Sequence, residues 1–134
     1  MPLSFSAEPS GGSIVLVNGS TLDYPLVNAS WTQFPGQINV VFGEVKATLA
    51  YDGSGAGSCE AFVELRLNGV QVGGGNISTS SEEPTAVAGA LGANPEIDPP
   101  SPRTNTLSAR VATNGACTGS STINSSRFRI LSFG

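Results

Sequence analysis

Cys59-Glu60-Ala61-Phe62-Val63-Glu64-Leu65-Arg66-Leu67-Asn68-Gly69-Val70-Gln71-Val72 is the stretch that decides the fold. Cys59, Ala61, Val63, Leu65 and Leu67 make an apolar stripe of period two, with Glu60, Glu64 and Arg66 on the other side. That alternation is the pattern of a strand with one buried face. Asn68-Gly69 is a hairpin turn signal, and Val70-Gln71-Val72 begins the returning strand.

Working outward, the same grammar recurs. Leu107, Ala109 and Val111 form a second stripe, with Thr106, Ser108 and Arg110 facing away, and Phe128 and Ile130 continue the core at the C-terminus, where Phe133 is the last large residue. Ser13 to Val17 is a short apolar run stopped by Asn18-Gly19. Ile38, Val40 and Phe42 alternate, but Val45, Ala47, Leu49 and Tyr51 fall in the other phase. A slip of this kind at Gly43-Glu44 predicts a bulge or a strand bent between sheets. Parallel sheets need crossover helices, and no amphipathic helical stretch of ten or more residues is visible. The expected fold is therefore all-β, an antiparallel β-sandwich of jelly-roll-like character with Greek-key connections.

Cys59 and Cys117 each follow a strand-like run and a turn, Asp52 to Ser58 in one case and Asn114-Gly115-Ala116 in the other. The matching placement predicts one disulfide joining two distant strands. Two reduced, buried cysteines acting as small hydrophobes are the alternative. Two thiols without histidine do not make a zinc set.

The 134 residues suit one domain. Charged residues are only 12% of the chain, about half the usual share, and the formal net charge is −4. Phosphate binding needs clustered cations, so nucleic acid is not an expected partner, and anionic membrane surfaces are disfavoured for the same reason. Arg127 and Arg129, with Arg110 on a neighbouring strand, are the nearest thing to a basic patch and read as a solvated face. No apolar run approaches the ~20 residues of a membrane-spanning helix. Met1 to Phe5 lack the basic and apolar regions of a signal peptide, so the chain is expected to be made without export. A mature segment whose signal has been removed is the alternative.

Two segments break the β pattern. Residues 81–103 hold five of the nine prolines and four acids around an Ala/Gly-rich centre. They read as an irregular loop for intersubunit contact, with Pro95, Ile97, Pro99 and Pro100 as contact residues, or as a surface insertion with a helical turn at Thr85–Leu91. Residues 1–13 read as an N-terminal arm anchored by Leu3 and Phe5, or as a tail or first strand of the domain's own sheet; residues 14–134 make the single sandwich domain.

Chemistry is sparse. The chain has no histidine, which removes His-assisted serine or cysteine catalysis and most zinc enzymes. Asp52-Gly53-Ser54-Gly55 resembles half a calcium loop without its far ligand, and a glycine-rich turn explains it better. No catalytic set, metal site or cofactor is expected. Asn18, Asn28, Asn76 and Asn124 each head an Asn-x-Ser motif, relevant only where a host glycosylates. Tyr24, Trp31, Phe34 and Tyr51 are candidates for a carbohydrate platform, though a lone tryptophan in a sandwich reads first as core.

No motif identifies a family. The reading that follows is a non-enzymatic structural protein of a larger particle, a bacteriophage capsid decoration, cement or spike-base protein at the virion surface. Its partners are proteins, the capsid or copies of itself, with a homo-oligomer such as a trimer expected. The alternative is an extracellular carbohydrate-binding or adhesion module resembling a pilus subunit.

Overall fold

A computed structural model describes residues 3–55, 57–79, 85–87, 90–94, 101–118 and 121–134. Twelve strands occur among them, and no helix. In chain order they are β1 (Leu3–Ala7), β2 (Ser10–Gly11), β3 (Ile14–Val15), β4 (Thr21–Tyr24), β5 (Ser30–Gln33), β6 (Ile38–Leu49), β7 (Cys59–Leu67), β8 (Val70–Thr79), β9 (Thr85–Val87), β10 (Ala90–Asn94), β11 (Arg103–Gly115) and β12 (Thr122–Phe133). They pair antiparallel along the path β1-β12-β6-β10-β8-β7-β11-β4, with β5 on the first part of β11. The chain is an antiparallel β-sandwich. Neighbours distant in sequence, such as β12 beside β6 and β11 beside β7, are the Greek-key crossings that the stripes implied.

The deciding stretch folds as it reads. Cys59, Ala61, Val63, Leu65 and Leu67 are all buried on β7, and β8 returns against it. At the turn, Asn68 has φ 50° and Gly69 φ 84°. Two successive left-handed residues make the turn whose twist matches its strands, which is why Asn-Gly stands there. The Asn68 side chain fixes the corner further, donating to Asn105 Oδ1 at 2.9 Å and accepting from Thr106 N at 2.9 Å.

The slip at Gly43-Glu44 does not occur. β6 runs unbroken, and its inner residues are Asn39, Val41, Val45, Ala47 and Leu49, all in one phase. Ile38, Val40 and Phe42 belong to the outer face. Gly43 lies on the inner side opposite Phe128, and a Cβ there would stand 2.6 Å from Phe128 Cα and 2.8 Å from its Cδ1. The phenyl ring fills the place of the missing side chain. An apolar outer face beside a polar inner Asn39 therefore imitated a phase change.

Within residues 81–103 the described stretches Thr85–Val87 and Ala90–Asn94 are strands rather than loop. Thr85–Val87 pair with β6, and Ala90–Asn94 lie between β6 and β8 with pairing to both. In place of the alternative, a helical turn over Thr85–Leu91, residues 85–87 and 90–91 are strand, because the edges of β6 and β8 offer unpaired backbone that an extended segment satisfies. Leu3–Ala7 likewise pair with β12 in the domain's own sheet.

The core is a single cluster that joins stripes from both sheets, including Trp31, Phe128, Leu49, Leu65, Leu107 and Ile130. One end of it is polar. Gln33, Asn39 and Asn105 are fully buried and Ser132 nearly so. Asn105 Nδ2 donates to Gln33 Oε1 at 2.8 Å, Gln33 Nε2 to Gln37 O at 2.7 Å, and Ser132 Oγ to Asn39 Oδ1 at 2.6 Å. Gln33 and Asn105 are bonded at both ends of the amide, whereas Asn39 is bonded through Oδ1 and its buried Nδ2 has no partner among the described residues.

Candidate interaction face

Three neighbouring strands, β1, β12 and β6, turn an apolar surface outward. Directly opposed residues of an antiparallel pair share a face. Leu3 stands opposite Phe133, and Phe133 opposite Ile38; Phe5 stands opposite Leu131, and Leu131 opposite Val40. Phe42 follows in the next row, opposite Arg129. Leu3 is 56% and Phe5 57% exposed, and the others are partly exposed. With strands ~4.8 Å apart and rows ~7 Å apart, the seven side chains cover about 230 Å². A contiguous patch approaching the largest that monomers ordinarily expose is often functional, whereas isolated apolar residues need no explanation.

Further along β6 and β12 the same face becomes charged. Glu44 stands opposite Arg127 and Lys46 opposite Ser125. Arg127 is ion-paired with Glu8, which enters from the segment after β1. With Ser10 and Asn28 these side chains line a furrow of about 540 Å³. A smaller groove of about 260 Å³ shares Glu44 and Arg127 with it and runs on to Phe42 and Arg129. Arg110 stands on β11 and pairs with Asp23 at 3.6 Å, so the three arginines do not gather into one basic patch.

The cysteines are joined. Cys59 and Cys117 form a disulfide across a sequence separation of 58, with their Cα atoms 4.6 Å apart. The bond ties the start of β7 to the segment after β11, where Tyr51 also bridges to Cys117. Asp52 turns its carboxylate back on its own loop, accepting from Ser54 N at 2.8 Å. Hydrogen bonds from Ser54 hold the Asp52 carboxyl below its ordinary pKa. Among the described residues no three metal-ligating side chains come together.

Of the aromatic residues weighed for sugar stacking, Trp31, Tyr24 and Tyr51 are buried and Phe34 is 52% exposed. Trp31 is core. Tyr24 Oη donates to Gly12 O at 2.8 Å, and burial raises its pKa, offset in part by Ser126. Asn18, Asn28, Asn76 and Asn124 are all exposed. Leu3 and Phe5, the N-terminal contact residues read from the sequence, are brought together on the outer face. Pro95, Ile97, Pro99 and Pro100 lie outside the described residues. Ile38, Val40 and Leu131 were missed as surface residues because alternation alone does not say which side of a strand is the inner one.

No family model matches the chain. No curated protein matches it either. Among solved structures, it is similar to an arabinose-bound α-L-arabinofuranosidase, MgGH51, at TM-score 0.37 and 15% identity, over 90% of this chain and 18% of that one. It is also similar to the CBM36-1 domain of a multidomain xylanase from the hindgut metagenome of Trinervitermes trinervoides, at TM-score 0.36 and 14% identity, over 99% and 97% of the two chains. The chain thus spans less than a fifth of the arabinofuranosidase's length. Neither likeness is near enough to carry an argument about function.

Proposed function

We propose that this chain is a non-enzymatic structural or accessory protein of a larger particle, of the kind that decorates or cements a bacteriophage capsid at the virion surface. The observation that carries the reading is the apolar outer face of β1, β12 and β6. Exposing Leu3 and Phe5 beside Leu131, Val40 and Ile38 costs solvation in the free chain, and a protein partner relieves it. The rest of the molecule suits that role. A disulfide-closed sandwich is stiff, disulfides persist outside reducing compartments, and a chain with one lysine and 12% charge offers few groups for catalysis. Symmetric sites on a particle favour symmetric occupants, so a trimer remains the expected assembly.

Density-gradient sedimentation of particles from a producing culture tests the reading. The wild-type chain is expected in the particle band, and Phe5→Ser, equally well folded, in the soluble fraction. A wild-type chain that never enters the particle band contradicts the proposal. A carbohydrate-binding reading has lost Trp31 to the core, and the surface left for it is the furrow on β6 and β12.

A further inference from the structure

The furrow gathers charge in a chain that has little of it. Glu8, Glu44, Lys46 and Arg127 line it, Arg129 stands at its extension, and Lys46 is the only lysine in the sequence. Its floor is the outer face of β6 and β12. Its walls come from the segment after β1, which brings Glu8, and from the segment between β4 and β5, which brings Asn28. Asn28 holds φ 56°, a left-handed conformation that asparagine tolerates better than most residues. The furrow's volume of about 540 Å³ lies within the range of small-molecule sites.

The lining says what kind of ligand suits it. In the furrow itself two carboxylates, Glu8 and Glu44, stand against two cations, Lys46 and Arg127, and one pair, Glu8 with Arg127, is already neutralised internally. A polyanion would require surplus positive charge, and a cation surplus negative charge. What this balance favours is a neutral ligand that both donates and accepts along its length. Carboxylates accept from hydroxyls, ammonium and guanidinium groups donate to them, and Asn28 does either. From Lys46 to Phe42 the floor spans ~13 Å along β6, the reach of a di- or trisaccharide. Phe42 is partly exposed at the far end and offers a ring on which a sugar's C–H face can rest.

We propose that this furrow binds a short stretch of neutral oligosaccharide, with Glu44, Lys46 and Arg127 taking its hydroxyls and Phe42 closing one end. The site meets the apolar rows only at Phe42, and its polar groups Glu44, Lys46 and Arg127 lie beyond them, so it is tested independently of attachment to a particle.

Isothermal titration of the intact, oxidised protein tests it, using gluco-, xylo-, manno- and galacto-configured neutral hexaoses and a heparin-derived hexasaccharide. At least one neutral hexaose is expected to bind with Kd between about 10 μM and 1 mM. Glu44→Gln and Lys46→Ala, both exposed positions, are each expected to weaken it about tenfold or more with unchanged melting temperature, a loss of one decade in Kd. Phe5→Ser is expected to leave it untouched. Absence of binding to every neutral hexaose overturns the proposal. So does binding that survives both furrow substitutions, or preference for the heparin fragment.

Discussion

Reducing the Cys59–Cys117 bond is expected to lower the melting temperature by about 14 °C, a shift derived from chain entropy and the chain's length. The bond spans a sequence separation of 58 residues. Releasing a loop of that length frees the unfolded chain by about 4 kcal/mol in the chain-entropy treatment. The folded state changes less, because Cys59 remains opposite Gly115 in the β7–β11 register and Tyr51 still bridges to Cys117. A chain of 134 residues has an unfolding entropy near 0.28 kcal/mol/K at its midpoint, so 4 kcal/mol corresponds to about 14 °C. Differential scanning calorimetry with and without a phosphine reductant measures the shift, and a Cys59→Ala/Cys117→Ala double variant controls for reductant. A fall of under about 3 °C would refute the reasoning, since the bond would then constrain little that the unfolded chain explores. Two thiols freely alkylated in unreduced protein would refute it more directly.

Other consequences follow from particular contacts. Gly43→Ala places a Cβ against the Arg127 carbonyl and 2.6 Å from Phe128 Cα, backbone that cannot give way; chemical denaturation should show a loss of about 2–3 kcal/mol. Gly69→Ala must hold φ 84°, and a loss of about 1 kcal/mol is expected by the same assay. Removing Ala90–Asn94 takes out the strand between β6 and β8, so cooperative melting should be lost; an unchanged transition would mean that the two strands do not depend on it. Tyr24 has a folded pKa raised above 10.0 by burial. A raised folded pKa leaves stability intact below the unfolded value and removes it as pH climbs through the folded one. Wild-type melting should therefore fall more steeply above about pH 10 than that of Tyr24→Phe, and parallel curves would exclude Tyr24 as the source.

The sequence disclosed the fold well where alternation and turn chemistry agreed. The β7 stripe, the Asn68-Gly69 turn and the paired cysteines required only period two and the left-handed preference of Asn-Gly. It disclosed less where a strand is apolar on both sides. On β6 the outward Ile38, Val40 and Phe42 outweighed the inward Asn39 and Val41, so the apolar side was taken for the inner one. The polar end of the core was illegible for a related reason. Gln33 and Asn105 bond each other across distant strands and Asn39 accepts from Ser132, and no local pattern records such pairings. The strands at 85–87 and 90–94 were hidden by Ala, Gly and Pro, whose weak propensities are overridden by open backbone on β6 and β8. Leu3 and Phe5 were legible as anchors, while the surface that they join became visible only with the β1–β12–β6 register.

In the proposed role, protein covers this outer face once the chain is on its particle. Carbene footprinting of the chain free and in the particle fraction measures that coverage residue by residue. The account expects labelling of Leu3, Phe5, Leu131 and Phe133 to drop several-fold in the particle, while exposed Val70 at the β7–β8 turn keeps its reactivity. Equal labelling of the four in both states, or protection confined to Val70 and its surroundings, would contradict it.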